Sequence, residues 1–201
     1  MSLSPTLDTS IARMYGPKSL EYKLQNKAAL QEELGWPAEP KRPMLCLPVG
    51  MSDALGGKLL RELLPGLLSL PLEILILGKG SGSYGTLFTE LATEHDHRIA
   101  IIPVKEEAVR KMYAASDMAL FLDDAAGHKE LEFLLKYGVV PVAKKDCGLQ
   151  NYDPNQESGH GFLYDKFDVW SVFTSLVRAL ETYRFPFDWR TIQRHCMEKA
   201  G

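Results

Sequence analysis

The sequence predicts an α/β protein with a single Rossmann-like, doubly wound parallel sheet of about six strands. Short apolar runs alternate with amphipathic stretches of helical length from residue 42 onward. The apolar runs are continuous, as expected for strands that helices cover on both faces, whereas half-exposed strands alternate apolar and polar residues. The chain has 201 residues, which suits one domain and is short for two.

Six apolar runs are predicted as strands, and helical spacing is found between most of them. The predicted strands are residues 44–49, 72–77, 98–104, 117–122, 139–143 and 161–164. The predicted intervening helices are residues 53–64, 84–93, 106–115 and 129–137. Alternation of strand and helix at this spacing is typical of βαβ units, which place their strands parallel in one sheet.

Residues near the N-terminus predict a helix that precedes the alternating strands and helices. Residues 20–34 are rich in Lys, Leu, Gln and Glu, and Gly35 with the prolines that follow ends this predicted helix. A short turn of helix is predicted over residues 8–15. We therefore predict a linker segment with a helix over residues 1–40. Residues 41–201 are predicted as the Rossmann-like domain, which ends in C-terminal helices.

Two helices are predicted in the tail. Apolar residues recur there at three- and four-residue steps, which predicts one stripe facing the core. The residues of this stripe are Phe167, Trp170, Phe173, Leu176, Val177 and Leu180. Trp189 and Ile192 begin a last predicted helix that ends near Ala200.

Composition excludes several classes of partner. The formal net charge is -3 and no basic stripe is present, so nucleic acid is not expected as a partner. Apolar stretches such as residues 72–77 are too short to span a bilayer, and Met1–Ser10 lacks the pattern of a signal peptide. Cys46, Cys147 and Cys196 include no CxxC pair, which argues against a disulfide framework or a zinc site. We expect no metal, no cofactor, no membrane contact and a cytoplasmic location.

The loop after the second predicted strand is a candidate phosphate site. Ligands of such sheets lie beyond the carboxyl ends of the strands. Gly80 and Gly82 would let the backbone approach an anion, a helix N-terminus follows, and Lys79 would add charge. A flexible turn with Ser83 as the helix N-cap is the commoner meaning of such a loop. Both interpretations stay open.

Three other groups of residues could carry chemistry. Asp123, Asp124 and His128 could form a metal site or an acid–base pair, although aspartates before a helix more often cap it. Residues 94–97 read Glu-His-Asp-His, but they lie on the amino-end side of the sheet, where a solvated turn is favoured. Cys147 could be a nucleophile, yet without an identifiable base it is better interpreted as a buried small residue.

Most of the chain resembles the C-terminal domain of bacterial starch and glycogen synthases. The segment SPTLDTSIARMYGPKSLEYKLQNKAALQEELGWP is similar to the stretch that leads into the second domain of that family. LEILILGKGSGSYGTLFTELA resembles its second strand, glycine turn and helix, and KEEAVRKMYAASDMALFL its segment before the catalytic loop. LLKYGVVPVAKKDCGLQNYD, GHGFLYD and WRTIQRHCMEK follow in the family's order and spacing.

The resemblance implies one half of a GT-B fold, the half that holds ADP- or UDP-glucose for α-1,4-glucan synthesis. An N-terminal glycosyltransferase domain, in cis or in trans, would then be the partner. Residues 41–201 would be the nucleotide-sugar-binding-type domain. The residues expected to bind the nucleotide sugar are Lys79, Gly80, Gly82, Ala126, Gly127, His128 and Lys129, the last four through the backbone.

The residues that carry the family's chemistry are missing from the matching positions. Gly50 and Leu55 stand where the family has the arginine and lysine that neutralise the diphosphate. Val104 stands where its aromatic residue stacks on the base. The family's glutamate falls at Ala125 or Ala126, so no catalytic residue is assigned. We therefore expect a glycosyltransferase domain that is catalytically inactive as this chain alone.

A non-catalytic interaction module or a glucan-binding module is the alternative. Aromatic side chains suited to stacking on glucose are Trp36, Tyr152 and Trp189. Aromatic residues more often pack in the core or at its boundary.

Overall fold

The structure is a computed structural model that describes residues 4–201. Residues 1–3, which belong to the predicted linker and to the segment that lacks a signal-peptide pattern, lie outside the described residues. The strands are β1 Met44–Leu47, β2 Glu73–Leu77, β3 Ile99–Ile102, β4 Met118–Leu120, β5 Val140–Lys144 and β6 Phe162–Tyr164. The helices are α1 Lys23–Glu33, α2 Gly57–Ser69, α3 Gly82–Glu94, α4 Glu106–Ala115, α5 Lys129–Lys136, α6 Val169–Tyr183 and α7 Pro186–Lys199. Short 3-10 turns span Leu20–Tyr22, Asp53–Leu55 and Ala125–Gly127.

The six strands form one parallel sheet, which confirms the predicted fold class. Their order is β3-β2-β1-β4-β5-β6. In β1, Leu45 is aligned with Ile74 of β2 on one side and with Met118 of β4 on the other. The chain therefore moves outward from β1 in one direction and returns to build the other half from β4. The carboxyl ends of β1 and β4 border the topological switch point, where ligands of this architecture bind.

Helices cover both faces of the sheet and account for its continuous apolar strands. All five residues of β2 and all four of β1 are buried. The helices pack in pairs, α1 with α4, α5 with α7 and α2 with α6. Within residues 4–201, no helix is both long and apolar enough to cross a bilayer.

The linker helix α1 is fixed to the amino edge of the sheet by buried polar side chains. Lys27 has no exposed surface, and its ammonium contacts the Asp117 carboxylate, the Arg42 carbonyl at 2.9 Å and the Tyr183 hydroxyl at 3.0 Å. The same Asp117 oxygen accepts the backbone N–H of Met44 at 2.8 Å. One ion pair thereby ties α1 to the starts of both β1 and β4.

A second buried lysine of α1 binds backbone carbonyls. The Lys23 ammonium donates to the carbonyl oxygens of Tyr113 at 2.8 Å, Ala114 at 3.0 Å and Tyr137 at 3.1 Å. These carbonyls lie at the last turn of α4 and just after α5, where helices leave acceptors without partners. Burial lowers the pKa of Lys23 to about 7.

The predicted turn of helix over residues 8–15 is wrong. The structure has turns and bends there and no helix. The Asp8 carboxylate accepts the backbone N–H of Ser10 at 2.9 Å, a local bond that competes with helix formation. The segment is held in place at its far end, because the Tyr15 hydroxyl donates to the Tyr137 carbonyl at 2.8 Å.

Two predicted helix starts also need correction. The helix predicted from residue 53 begins as a 3-10 turn, and the α-helix starts only after Gly56, whose φ of 83° interrupts it. Ser83 is not the N-cap of α3. That helix begins at Gly82, so Ser81 occupies the cap position and Ser83 lies within the first turn.

The predicted apolar stripe of the tail is partly wrong. Phe167 is 47% exposed and Trp170 is 78% exposed, although the stripe placed both in the core. The Asp168 side chain caps α6 by accepting the Ser171 N–H at 2.9 Å, and this start turns Trp170 to the surface. Leu176 and the rest of its face are buried. The last helix is confirmed, with Trp189 buried near its start.

Candidate functional site

The loops after β1 and β2 are joined backbone to backbone at the carboxyl edge. The Met51 N–H donates to the Lys79 carbonyl at 2.9 Å, and the Ser81 N–H donates to the Met51 carbonyl at 3.0 Å. Gly80 has a φ of 149°, and a Cβ there would lie 2.2 Å from the Met51 oxygen. Gly80 is therefore required by the contact between the two loops, and its side-chain position does not face a ligand.

Lys79 reaches from the second loop over the first. A Cβ on Gly50 would lie 3.0 Å from Cγ of Lys79, so the lysine stem covers the space that a larger residue would fill. Lys79 is exposed, and it makes no ion pair among residues 4–201. A free cation therefore stands beside the first loop although Gly50 carries no side chain.

Two helix N-termini with unpaired backbone donors face this edge. In the described chain, the N–H groups of Gly82 and Ser83 in α3 have no hydrogen-bond acceptor. A Cβ on Gly82 would meet nothing within 4 Å, so this position is open. In α5 the N–H groups of Lys129 and Glu130 likewise lack an acceptor within residues 4–201. Such groups form an anion-binding end when they converge on one ligand.

The loop after β4 brings Asp123 and His128 together. His128 Nε2 lies 2.6 Å from Asp123 Oδ2, and the imidazole stacks on Phe121 with ring centroids 6.1 Å apart. Asp124 instead caps the short 3-10 turn, because its carboxylate accepts the Ala126 N–H at 3.1 Å. The two interpretations of these residues therefore each hold for one aspartate. Asp123 forms a side-chain pair with His128, and Asp124 caps the 3-10 turn.

Most of the backbone donors predicted in this loop are already used. The N–H of Ala126 donates to the Asp124 side chain, that of Gly127 to the Asp124 carbonyl at 3.2 Å, and that of His128 to the Ala125 carbonyl at 3.1 Å. Only Lys129 keeps a free N–H among the four predicted residues within the described chain. Ala126 and Gly127 therefore shape the turn, and the open donors begin at the helix itself.

The side chains at the other matched positions are apolar and differ in exposure. Val104, in the loop after β3, is 56% exposed. Leu55 is half-buried beside Gly56, whose own Cβ position would meet the Leu122 carbonyl at 2.4 Å. Ala125 is 1% exposed, so a carboxylate at that position would need a rearranged loop, whereas Ala126 points to solvent.

The remaining candidates have structural explanations. His95–His97 and Glu94 lie at the end of α3 and in the following turn, and the described residues contain no group of three metal-ligating side chains. Cys147 is buried, and burial raises the pKa of its thiol, which confirms the interpretation as a buried small residue.

A contact between Asp53 and Tyr84 fixes the loop after β1, and the sequence patterns did not predict it. The Tyr84 hydroxyl donates to Asp53 at 2.6 Å, and the Arg61 guanidinium lies 4.7 Å from the centre of the Tyr84 ring. Gly57 makes room for this tyrosine. The pair joins the loop after β1 to α3, and no local spacing signals it because 31 residues separate the partners.

Comparison with known proteins identifies the family relationship. No family model matches the chain. The glycogen synthase of Desulforudis audaxviator is 31% identical over 202 residues, covering 96% of this chain and 40% of that protein. Glycogen synthase 1 of Synechocystis is 28% identical, covering 96% of this chain and 42% of that protein. The chain is a homologue of the glycogen synthases. It spans about two-fifths of the length of these relatives.

Solved structures show the same fold. The catalytic domain of Starch Synthase IV from Arabidopsis thaliana, bound to ADP and acarbose, matches with a TM-score of 0.82 at 22% identity, over 96% of this chain and 42% of that one. HepE from Anabaena, in complex with UDP-glucose, matches with a TM-score of 0.64 at 14% identity, over 88% of this chain and 48% of that one. The fold is that of one half of a GT-B glycosyltransferase, and the family resemblance read from the sequence is confirmed.

Proposed function

We propose that this chain is the nucleotide-sugar-binding half of a glycosyltransferase of the glycogen or starch synthase type. The observation that carries the proposal is the pair of open helix N-termini, of α3 and α5, on either side of the switch point. They follow β2 and β4, which are two strand spacings or about 10 Å apart, a distance that a diphosphate and its sugar can bridge. The relatives named above, and the solved structures bound to ADP and to UDP-glucose, support this assignment.

The donors at this edge suit an anion. In this proposal Lys79 and the N–H groups at Gly82 and Lys129 meet the phosphates, because each is open and carries positive or partial positive charge. Gly80, Ala126 and Gly127 contribute by shaping the two loops that present these donors. ADP-glucose and UDP-glucose are the donor sugars that the relationship favours.

Transfer of the sugar requires more than this chain supplies, and we propose that the isolated chain binds without transferring. Ala125 offers no carboxylate to support charge that develops on the sugar. An N-terminal glycosyltransferase domain, in cis or in trans, would supply the opposing wall of the cleft. Residues 41–201 form the binding domain in this proposal and residues 1–40 the segment that leads into it. Three unpaired, buried cysteines suit a reducing cytoplasm.

Thermal unfolding with millimolar ADP-glucose or UDP-glucose tests the proposal. A ligand at one hundred times its Kd stabilises the native state by about 2.7 kcal/mol, or about 5–10 °C for a chain of this length. Lys79→Ser should reduce this shift, while Lys18→Ser, which removes an exposed lysine elsewhere, should leave it unchanged. If neither nucleotide sugar raises the melting temperature of the wild type, the proposed function is wrong.

The structure does not favour the glucan-binding alternative. Trp36, Tyr152 and Trp189, the aromatic residues proposed for it, are all buried and contribute to the core. Affinity electrophoresis in amylose or glycogen would test it, and unretarded migration is expected.

A further inference from the structure

The pair formed by Asp123 and His128 is placed where the proposed site is open. Asp123 lies in the loop that follows β4, and His128 is the N-cap residue of α5. Both are partly buried, with 15% and 19% of their side chains exposed. The pair therefore lies beside the switch point, on the same turn that ends in the free N–H of Lys129.

Capping does not explain the histidine. His128 makes no side-chain hydrogen bond to the backbone of α5, and the turn before the helix is already capped by Asp124. The ring is instead fixed from two other directions, by the stack on Phe121 and by the bond to Asp123. The His128 side chain is therefore held in one orientation at the start of α5, although it does not cap that helix.

The bond to Asp123 determines what the other ring nitrogen can do. An ionised carboxylate only accepts hydrogen bonds, so Nε2 of His128 carries the proton and donates to Asp123 Oδ2. Within residues 4–201, Nδ1 has no partner. A phosphate oxygen accepts hydrogen bonds, so Nδ1 can bind one only when it also carries a proton. The other oxygen, Asp123 Oδ1, is buried without a partner in the described chain, so His128 is the only hydrogen-bond partner that this carboxylate has there.

We infer that His128 contacts the phosphates of the nucleotide sugar through a protonated Nδ1, and that Asp123 is the residue that positions its ring. This inference rests on the proposed function. Nothing at Gly50 or Leu55 supplies a cation on the β1 side of the switch point. Together with Lys79 across the switch point, His128 places a hydrogen-bond donor on each side of the diphosphate.

Isothermal titration of the purified chain with ADP-glucose, UDP-glucose and inorganic pyrophosphate tests the inference. His128→Asn keeps a residue that caps helices well but removes the ring, and His97→Asn is the matched control at an exposed turn. Asp123→Asn removes the charge beside the histidine. Asp124→Asn removes the same charge from the next residue, which caps the 3-10 turn and does not contact the histidine. Circular dichroism and melting temperature establish that each variant folds.

The expected result is that His128→Asn weakens binding of the nucleotide sugar and of pyrophosphate by about tenfold or more, as for loss of a charge-assisted bond. Asp123→Asn should weaken it by about threefold or more, with the two controls unchanged. The imidazole nitrogen resonances of His128 should move toward the doubly protonated form when ligand is added to the wild type. With five histidines in the chain, these signals can be assigned by substitution.

The outcomes separate this inference from the proposed function. Nucleotide-sugar binding that is unchanged in His128→Asn overturns the inference and leaves the proposed function standing. Pyrophosphate binding that depends on His128, without nucleotide-sugar binding, supports the role of the histidine and contradicts the proposed function. If neither probe binds the wild type, both are wrong.

Discussion

Removal of the buried ammonium of Lys27 should cost this protein a large part of its stability. In Lys27→Met the Asp117 carboxylate keeps its bond from the Met44 N–H but loses its cation, and the Arg42 carbonyl and Tyr183 hydroxyl lose a donor. Breaking a buried pair by removing one partner costs about 3–5 kcal/mol, because a buried charge is left uncompensated. For a chain of 201 residues this corresponds to a melting temperature lower by roughly 6–20 °C.

Urea unfolding followed by circular dichroism measures this cost. The matched control is Lys111→Met, which breaks surface ion pairs with Glu33 and Glu107, both at 3.0 Å. Surface pairs contribute about 0–1 kcal/mol, so the control should remain close to the wild type. Lys27→Met combined with Asp117→Asn should be more stable than Lys27→Met alone, because no buried charge is left. A cost for Lys27→Met no larger than that for Lys111→Met would refute the reasoning.

Three further predictions follow from burial and packing. A Cβ on Gly57 would lie 2.1 Å from the Tyr84 hydroxyl oxygen, so Gly57→Ala should lower the free energy of unfolding by about 1–3 kcal/mol. Gly85→Ala, at an open helical position, should raise the free energy of unfolding by about 0.5–1 kcal/mol. Equal urea midpoints for the two variants would contradict the close packing of Gly57 against Tyr84. All three cysteines are buried, and burial raises the pKa of Cys46 to about 12, so Ellman's reagent should label no thiol quickly in the native chain and three after unfolding. The unfolded chain holds the Lys23 proton to about pH 10.5, whereas the folded chain releases it near pH 7. The free energy of unfolding should therefore rise between pH 7.5 and 8.5, relative to Lys23→Met, by up to about 1.4 kcal/mol, and a flat difference would contradict the burial of a titrating lysine.

The sheet could be predicted from the sequence because its signal is local. The strands are mainly apolar runs between turn residues, and helices cover both faces, so the burial of most strand residues follows from composition. The strand order β3-β2-β1-β4-β5-β6 also follows the doubly wound pattern. These features do not depend on which particular side chains meet.

The orientation of α1 could not be predicted in the same way. Its buried face carries Lys23, Lys27 and Gln31, residue types that usually mark a solvated surface. They are buried because they pair with groups far away in sequence, such as the Glu73 carboxylate, which accepts from Gln31 at 2.8 Å. The spacing of residues along the helix does not indicate a partner that lies far away in the sequence.

The candidate site was predictable as a set of loops but not as a set of contacts. The loop after β2 and the loop after β4 were both identified from glycines and strand ends. The position of Lys79 over Gly50, and the use of the Ala126 and Gly127 amides within their own turn, depend on backbone geometry that the residue types do not specify. The division of the chain at residue 40 stays a prediction.

A backbone amide spectrum recorded with and without ADP-glucose and UDP-glucose tests the central claim most directly. We predict shifts concentrated at Gly80–Ser83 and at His128–Glu130, the two turns at the carboxyl edge of the sheet. Shifts centred instead on the amino-edge groove near Trp189 and Leu24, or no shift with either compound, would contradict the assignment of this edge as a nucleotide-sugar site.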